Sequence, residues 1–158
     1  MLLDTAAAQL SPVLVVEDCD DDFDTVLVAA ARASVGNRVV RAADAEMAWQ
    51  LLASAPVSQF AFVLLDYNLP GRDGLALLQQ VRHDAALGQL PVVVFTTSIN
   101  PRDHAAFCAA GASAFHVKRV QYTDCLHTLD AIFEQWLRRK TLPNGAAVAP
   151  PTRPSTRP

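Results

Sequence analysis

Short apolar runs alternate along the chain with longer stretches in which apolar residues recur every three or four positions, and from residue 12 onward the alternation repeats five times. Residues 13–16, VLVV, form a continuous apolar run of the kind that makes a strand buried on both faces, and it stops at Glu17 and Asp18. Phe23, Val26, Leu27 and Ala30 follow at helical spacing, residues 38–41 predict a short second strand, and Asp44 caps a helix over AEMAWQLLAS. FAFVLL, residues 60–65, predicts a third strand that stops at Asp66, and LPGRDG, residues 69–74, is turn chemistry leading into a helix with Leu75, Leu78 and Val81 on one face. PVVVF, residues 91–95, predicts a fourth strand that stops at Thr96. Asn100 and Pro101 then form an N-cap and N1 pair, with Asp103 in the first turn and Gly111 just past the far end of a helix over 101–110. A fifth strand, 114–117, stops at Lys118, and a last helix over about 123–139 turns Leu126, Leu129, Ile132, Phe133 and Trp136 to one side. No internal sequence repeat is visible beyond this βα unit.

Five βα units with short connections and near-continuous apolar strands predict an α/β domain: a doubly wound (βα)5 fold, with a five-stranded parallel sheet and helices on both faces. Ligands of such sheets bind beyond the carboxyl ends of the strands, which is where the sequence puts Glu17, Asp18, Asp66, Thr96 and Lys118.

Composition sharpens this picture. The chain has 158 residues, 51% of them hydrophobic and 18% charged. That suits one filled core and excludes disorder over most of its length. No apolar run approaches a membrane span, the first residues lack a basic signal region, and Cys19, Cys108 and Cys125 read as reduced thiols, so the expected location is the cytoplasm. The net charge of −3 conceals an asymmetry. Five basic groups (Arg138, Arg139, Lys140, Arg153, Arg157) and no acids lie in 138–158, so the preceding body is acidic, and six of its sixteen acids crowd into residues 17–24. This argues against a nucleic-acid-binding body and requires something positive over the acid cluster. The domain division is then an N-terminal extension over 1–11, a folded domain over 12–140 and a disordered, Pro-rich basic tail over 141–158, too short and polar to build a further output domain.

The strand ends define the candidate chemistry. Three carboxylates gathered by the first and third strands need a counter-charge, and a hard divalent ion with oxygen preference, Mg2+ first among them, supplies it while leaving positions open for a phosphoryl oxygen. A carboxylate beside such a metal can attack phosphorus to form an acyl phosphate, while a hydroxyl and an ammonium neutralise the oxygens in transit. Lys118 is the only lysine before Lys140 in a chain with eleven arginines, which suggests a need for a compact ammonium at that strand end.

VVED (15–18), LLDYNLPGRDG (64–74), VVVFTT (92–97) and AGASAFHVK (110–118) together resemble the receiver domain of two-component response regulators, over about 12–138. The resemblance implies a flavodoxin-like fold and a phosphoprotein rather than a turnover enzyme, with self-catalysed phosphoryl transfer and slow autodephosphorylation. It makes Asp66 the phosphoacceptor, Asp18 a direct Mg2+ ligand, Glu17 a ligand through water and Asn68 a ligand through its backbone carbonyl. Thr96 and Lys118 would contact the phosphoryl oxygens, and Phe115 would be the aromatic switch that follows Thr96. VED followed by Asp22, and Thr96, Thr97 and Ser98 followed by Asp103, are similar to the small regulators that serve phytochrome-type histidine kinases. Such a kinase as donor, a phosphotransfer protein or downstream target as recipient, and a homodimer come with that similarity. One departure stands out: receivers usually place a cis proline after the lysine, and this chain has Arg119, so a trans peptide is expected there.

The remaining candidates read more plainly. Asp20, Asp21, Asp22 and Asp24 are expected on a solvated face, where they favour the helix dipole, with no catalytic role. His83, His104, His116 and His127 lack metal spacing, and the carboxylates around Cys19 argue against cysteine chemistry. Two rival functions remain. An aspartate-nucleophile phosphohydrolase would resemble Asp-x-Asp at the third strand, where Tyr67 and Asn68 stand instead. A phosphorylation-independent interaction module on the same fold is kept open by Arg119. The first strand is followed by no glycine-rich nucleotide loop.

Overall fold

The structure is a computed structural model, and it describes residues 10–54, 59–67, 69 and 73–137. The elements alternate as the hydrophobic pattern predicts: β1 (Val13–Val16), α1 (Asp20–Arg32), β2 (Val39–Ala42), α2 (Ala45–Ser54), β3 (Phe62–Leu65), α3 (Gly74–His83), β4 (Val92–Thr96), α4 (Pro101–Ala109), β5 (Ala114–Val117) and α5 (Tyr122–Leu137). All strand pairs are parallel, in the order β2-β1-β3-β4-β5. The direction of winding reverses at β1, which has β2 on one side and β3 on the other.

Alternation along the strands sorts the core into two layers. Leu14, Val16, Val63, Leu65, Val92 and Val94 face α2, α3 and α4, where they meet Ala48, Leu52, Leu77, Leu78, Val81 and Phe107. Val13, Val15, Phe62, Leu64, Val93 and Phe95 face α1 and α5, where they meet Val26, Ala29, Leu129, Ile132 and Phe133. Strands buried on both faces need apolar residues at every position, which is why β1, β3 and β4 read as unbroken runs.

Strand bounds differ from the sequence expectation by a residue or two. β2 and β4 each lie one residue further along, because Ala42 accepts from the Glu17 N–H (3.0 Å) and Thr96 accepts from the Lys118 N–H. β3 starts at Phe62; Phe60 and Ala61 are buried but precede the ladder. The helix starts follow the predicted chemistry: the Met47 N–H donates to Asp44 Oδ1 (2.7 Å), and the Arg102 N–H donates to Asn100 Oδ1 (2.9 Å) with Pro101 next. Gly111, beyond the end of α4, has φ +95°, a conformation that favours glycine. The predicted tail over 141–158 lies outside the described residues, as do residues 1–9 of the N-terminal extension. Among the described residues no helix is long and apolar enough to cross a membrane.

At the opposite rim of the sheet from the strand-end acids, Arg82 closes α3 onto two loops. Its guanidinium donates to the carbonyls of Gly111 (2.9 Å), Leu90 (2.6 Å) and Gly88 (3.3 Å) and to Ser113 Oγ (3.3 Å), and burial lowers its pKa.

Gly74, the first residue of α3, packs against the backbone of the strand end that holds Asp66. A Cβ there would lie 2.6 Å from the Asp66 carbonyl oxygen, so Gly74→Ala must displace backbone rather than a flexible side chain. The expected outcome is a loss of about 1–3 kcal/mol of stability in urea unfolding.

Candidate functional site

Register decides which side chains meet at the sheet edge. Val16 pairs with Leu65, Leu65 with Val94 and Val94 with Phe115, so Glu17 and Asp66 step off their strands at one level and Lys118 stands two residues further along, past the end of β5, from where its long side chain reaches back to them. The Asp66 N–H donates to the Val16 carbonyl (3.1 Å) and fixes that level. Strand alternation turns Glu17, Asp66 and Lys118 towards the α1 and α5 side, in line with Val15, Leu64 and Ala114.

The Lys118 ammonium is the hub. Its Nζ lies 2.8 Å from Glu17 Oε2, 3.0 Å from Asp22 Oδ2 and 3.5 Å from Asp66 Oδ2. It also sits 5.5 Å from the centre of the Phe95 ring. The side chains of Lys118, Glu17 and Asp66 are only 8%, 5% and 11% exposed. Burial raises the Glu17 carboxyl to about 7 in spite of the Lys118 hydrogen bond and charge. Burial also disfavours the Lys118 charge, but its bonds to Glu17 and Asp22 and the charges of Asp66 and Glu17 outweigh that and hold the ammonium above its usual value.

Asp18 is exposed, yet a carboxylate oxygen of Asp18 lies with those of Glu17 and Asp66 in a group spanning no more than 4.8 Å. An all-oxygen carboxylate set of this size fits a hard divalent cation. Arg41, on β2, braces the loop that carries the acids: it donates to the carbonyls of Glu17 (3.0 Å) and Asp18 (3.1 Å) and to Asp20 Oδ1 (2.7 Å), and stacks over Phe23 at 5.0 Å. The positive charge that the acid cluster requires thus comes from Lys118 beneath and Arg41 beside it.

Asp22 corrects the sequence expectation. The sequence places it on a solvated face, and its side chain does keep 46% exposure, but it also shares the Lys118 ammonium with Glu17. Of the other predicted residues, Thr96 is fully buried at the end of β4, the neighbour of β3, and its Oγ1 accepts from the Ser98 N–H at 3.2 Å. Phe115 is half-buried between the His104 ring, stacked at 4.5 Å, and Phe107 at 5.9 Å. Asn68 lies outside the described residues. Arg119 is exposed, and the peptide before it is trans, like every described peptide bond. None of the three cysteines forms a disulfide. His116 is half-buried on β5, where burial lowers its pKa, and the other histidines lie on helices.

A profile of the response regulator receiver domain matches residues 13–130. The chain belongs to that family. Over 81 residues it is 35% identical to the response regulator Rcp1 of Synechocystis sp., a stretch covering 51% of this chain and 55% of Rcp1. Over 76 residues it is 34% identical to the chemotaxis protein CheY-3 of Vibrio cholerae, covering 48% of this chain and 58% of CheY-3. The aligned stretches therefore span little more than half the length of these relatives. Among solved structures, the Mn(2+)-bound form of Rcp1 superposes with a TM-score of 0.77 at 27% identity, covering 85% of this chain and 99% of that one. The phosphorylated cyanobacterial phytochrome response regulator RcpA superposes with a TM-score of 0.75 at 30% identity, over 85% and 99% of the two chains. The flavodoxin-like receiver fold and the phytochrome-associated relatives agree with the expectation from sequence.

In this receiver, Lys118→Met leaves buried Glu17 and Asp66 without their ammonium. Orphaning a buried ion costs about 3–5 kcal/mol, but Glu17 can take up a proton, so a loss of about 1–3 kcal/mol is expected in urea unfolding at neutral pH. A hard divalent cation at millimolar concentration is expected to restore part of it.

Proposed function

We propose that the chain is a response regulator that accepts a phosphoryl group on Asp66 from a histidine kinase, with Mg2+, and signals through a change in the face built by its fourth and fifth βα units. The observation behind this reading is the buried Asp66 carboxylate, 3.5 Å from the Lys118 ammonium and grouped with the oxygens of Glu17 and Asp18. Asp18 and Asp66 would hold the metal directly, Glu17 through water and Asn68 through its backbone carbonyl. Bound there, Mg2+ supplies charge neutralisation to the phosphoryl oxygens.

Asp66 is the nucleophile: a carboxylate oxygen forms a bond to phosphorus as the bond from phosphorus to the donor imidazole nitrogen breaks, and the imidazole keeps the electron pair. Lys118 exchanges part of its interaction with Glu17 and Asp22 for a phosphoryl oxygen, and Thr96 turns its hydroxyl to another. That movement would free space for Phe115 to change rotamer. The chain is a phosphoacceptor with slow autodephosphorylation, as the family resemblance implies, and not a turnover enzyme, because Asn68 stands where a phosphohydrolase would carry its acid/base carboxylate.

The relatives that serve phytochromes support a phytochrome-type histidine kinase in the cytoplasm as the donor, and a homodimer or a downstream protein as the partner of the switched face. Ile99, Val120 and Tyr122 expose apolar surface at the sheet edge that borders the site, which suits protein contact. The working domain is residues 12–140, with 141–158 a basic tail outside it.

Intact mass after incubation with Mg2+ and acetyl phosphate tests the reading. One adduct of about 80 Da is expected on the wild type and none on Asp66→Asn. An equal adduct on Asp66→Asn, or none on the wild type even with a phosphorylated histidine kinase, would leave a phosphorylation-independent interaction module as the better account.

A further inference from the structure

Asp103 lies in the first turn of α4, and the phosphoryl chemistry leaves it without a part. Its carboxylate nevertheless ties this helix to the segment that follows β4 beside the site. Ser98 Oγ donates to Asp103 Oδ2 at 2.5 Å, while the Ser98 N–H donates to Thr96 Oγ1 at 3.2 Å. The ring of Tyr67, the residue after Asp66, packs edge-on to Phe107 at 5.4 Å, one turn along α4, and Phe107 in turn meets Phe115.

A cap does not require this carboxylate. Asn100 already accepts from the Arg102 N–H, and Pro101 has no N–H to satisfy. Hydroxyl-to-carboxylate hydrogen bonds are among the stronger ones, so the Ser98 contact holds the first turn of α4 to the residues following Thr96 rather than to solvent.

We propose that Asp103 is a positioning residue that couples the phosphoacceptor site to α4, through Ser98 to Thr96. This rests on the reading of Asp66 as phosphoacceptor. When the Thr96 hydroxyl turns to a phosphoryl oxygen, the Ser98 N–H loses its acceptor and residues 97–100 must reseat. Ser98 then draws Asp103, and the first turn of α4 follows. Phe107 passes the shift to Phe115, so the aromatic residue is moved by its helix neighbour as well as by the space that Thr96 vacates.

Amide hydrogen exchange over residues 101–109, with and without phosphorylation, reads the coupling, and intact mass on every sample reports the adduct. The wild type is expected to change exchange over this helix on phosphorylation. Asp103→Ala is expected to take the adduct and lose that change, whereas Asn100→Ala, which weakens the cap alone, keeps it on a faster baseline. If Asp103→Ala fails to fold, Ser98→Ala removes the hydroxyl, keeps the carboxylate and carries the same expectation. The coupling is overturned by a phosphorylated Asp103→Ala or Ser98→Ala that still shows the wild-type change. It is overturned equally by an Asn100→Ala that loses the change as Asp103→Ala does, or by a phosphorylated wild type whose α4 exchange stays fixed. A wild type that takes no adduct overturns the phosphoacceptor reading instead and removes the basis of the coupling, and the mass measurement separates that failure from the others.

Discussion

One buried ammonium among carboxylates governs this receiver. Two unit charges 4 Å apart interact by about 4 kcal/mol at an effective dielectric of 20, so the acids gathered by β1 and β3 would drive the sheet edge apart without a cation between them. Lys118 reaches that position because it follows Val117, which ends β5 level with Thr96, and turns its own side chain to the α1 side. Arg41 does the complementary work on the backbone, holding the carbonyls of Glu17 and Asp18 so that the loop presents its carboxylates outward. The compact point charge of a lysine suits the inner place, where three acceptors approach from different directions, and the planar fork of an arginine suits the outer one.

The sheet also keeps the carboxylate and ammonium cluster and α4 on different faces. Asp66, Glu17 and Lys118 belong to the side covered by α1 and α5, whereas Thr96, by alternation with Val92 and Val94, belongs to the side covered by α3 and α4. Thr96 stands where the two sides meet, at the end of the strand next to β3. A group added at Asp66 can therefore act on α4 only around the strand end, through the loops that follow β3 and β4.

Most of this was legible in the sequence, for reasons that can be named. Continuous apolar runs announced strands buried on both faces, and Glu17, Asp66, Thr96 and Lys118 stood out because each ends such a run. Asn100, Pro101 and Gly111 marked the limits of α4 through local backbone chemistry. Asp22 was missed because its partner is 96 residues away and its neighbours Asp20, Asp21 and Asp24 look the same in the sequence. Only the phase of α1 against the sheet separates it from them. Arg41 and the bond from Ser98 to Asp103 were hidden for the same reason, since neither disturbs the hydrophobic period. The strand bounds slipped where a loop residue completed a ladder bond, as Lys118 does for Thr96.

The Arg82 clasp gives the fold a fixed end. By gripping the carbonyls of Gly88, Leu90 and Gly111 together with Ser113, it welds α3, the entry to β4 and the turn between α4 and β5 into a single corner. The far end of α4 is anchored at that corner, while its first turn is held by the Ser98 hydroxyl. A helix restrained in this way behaves as a lever with its fulcrum at Gly111. A small push beside the strand ends becomes a tilt, greatest at the rim where Ile99 is exposed and vanishing at the opposite rim, so the core between the two layers need not repack for the surface to change.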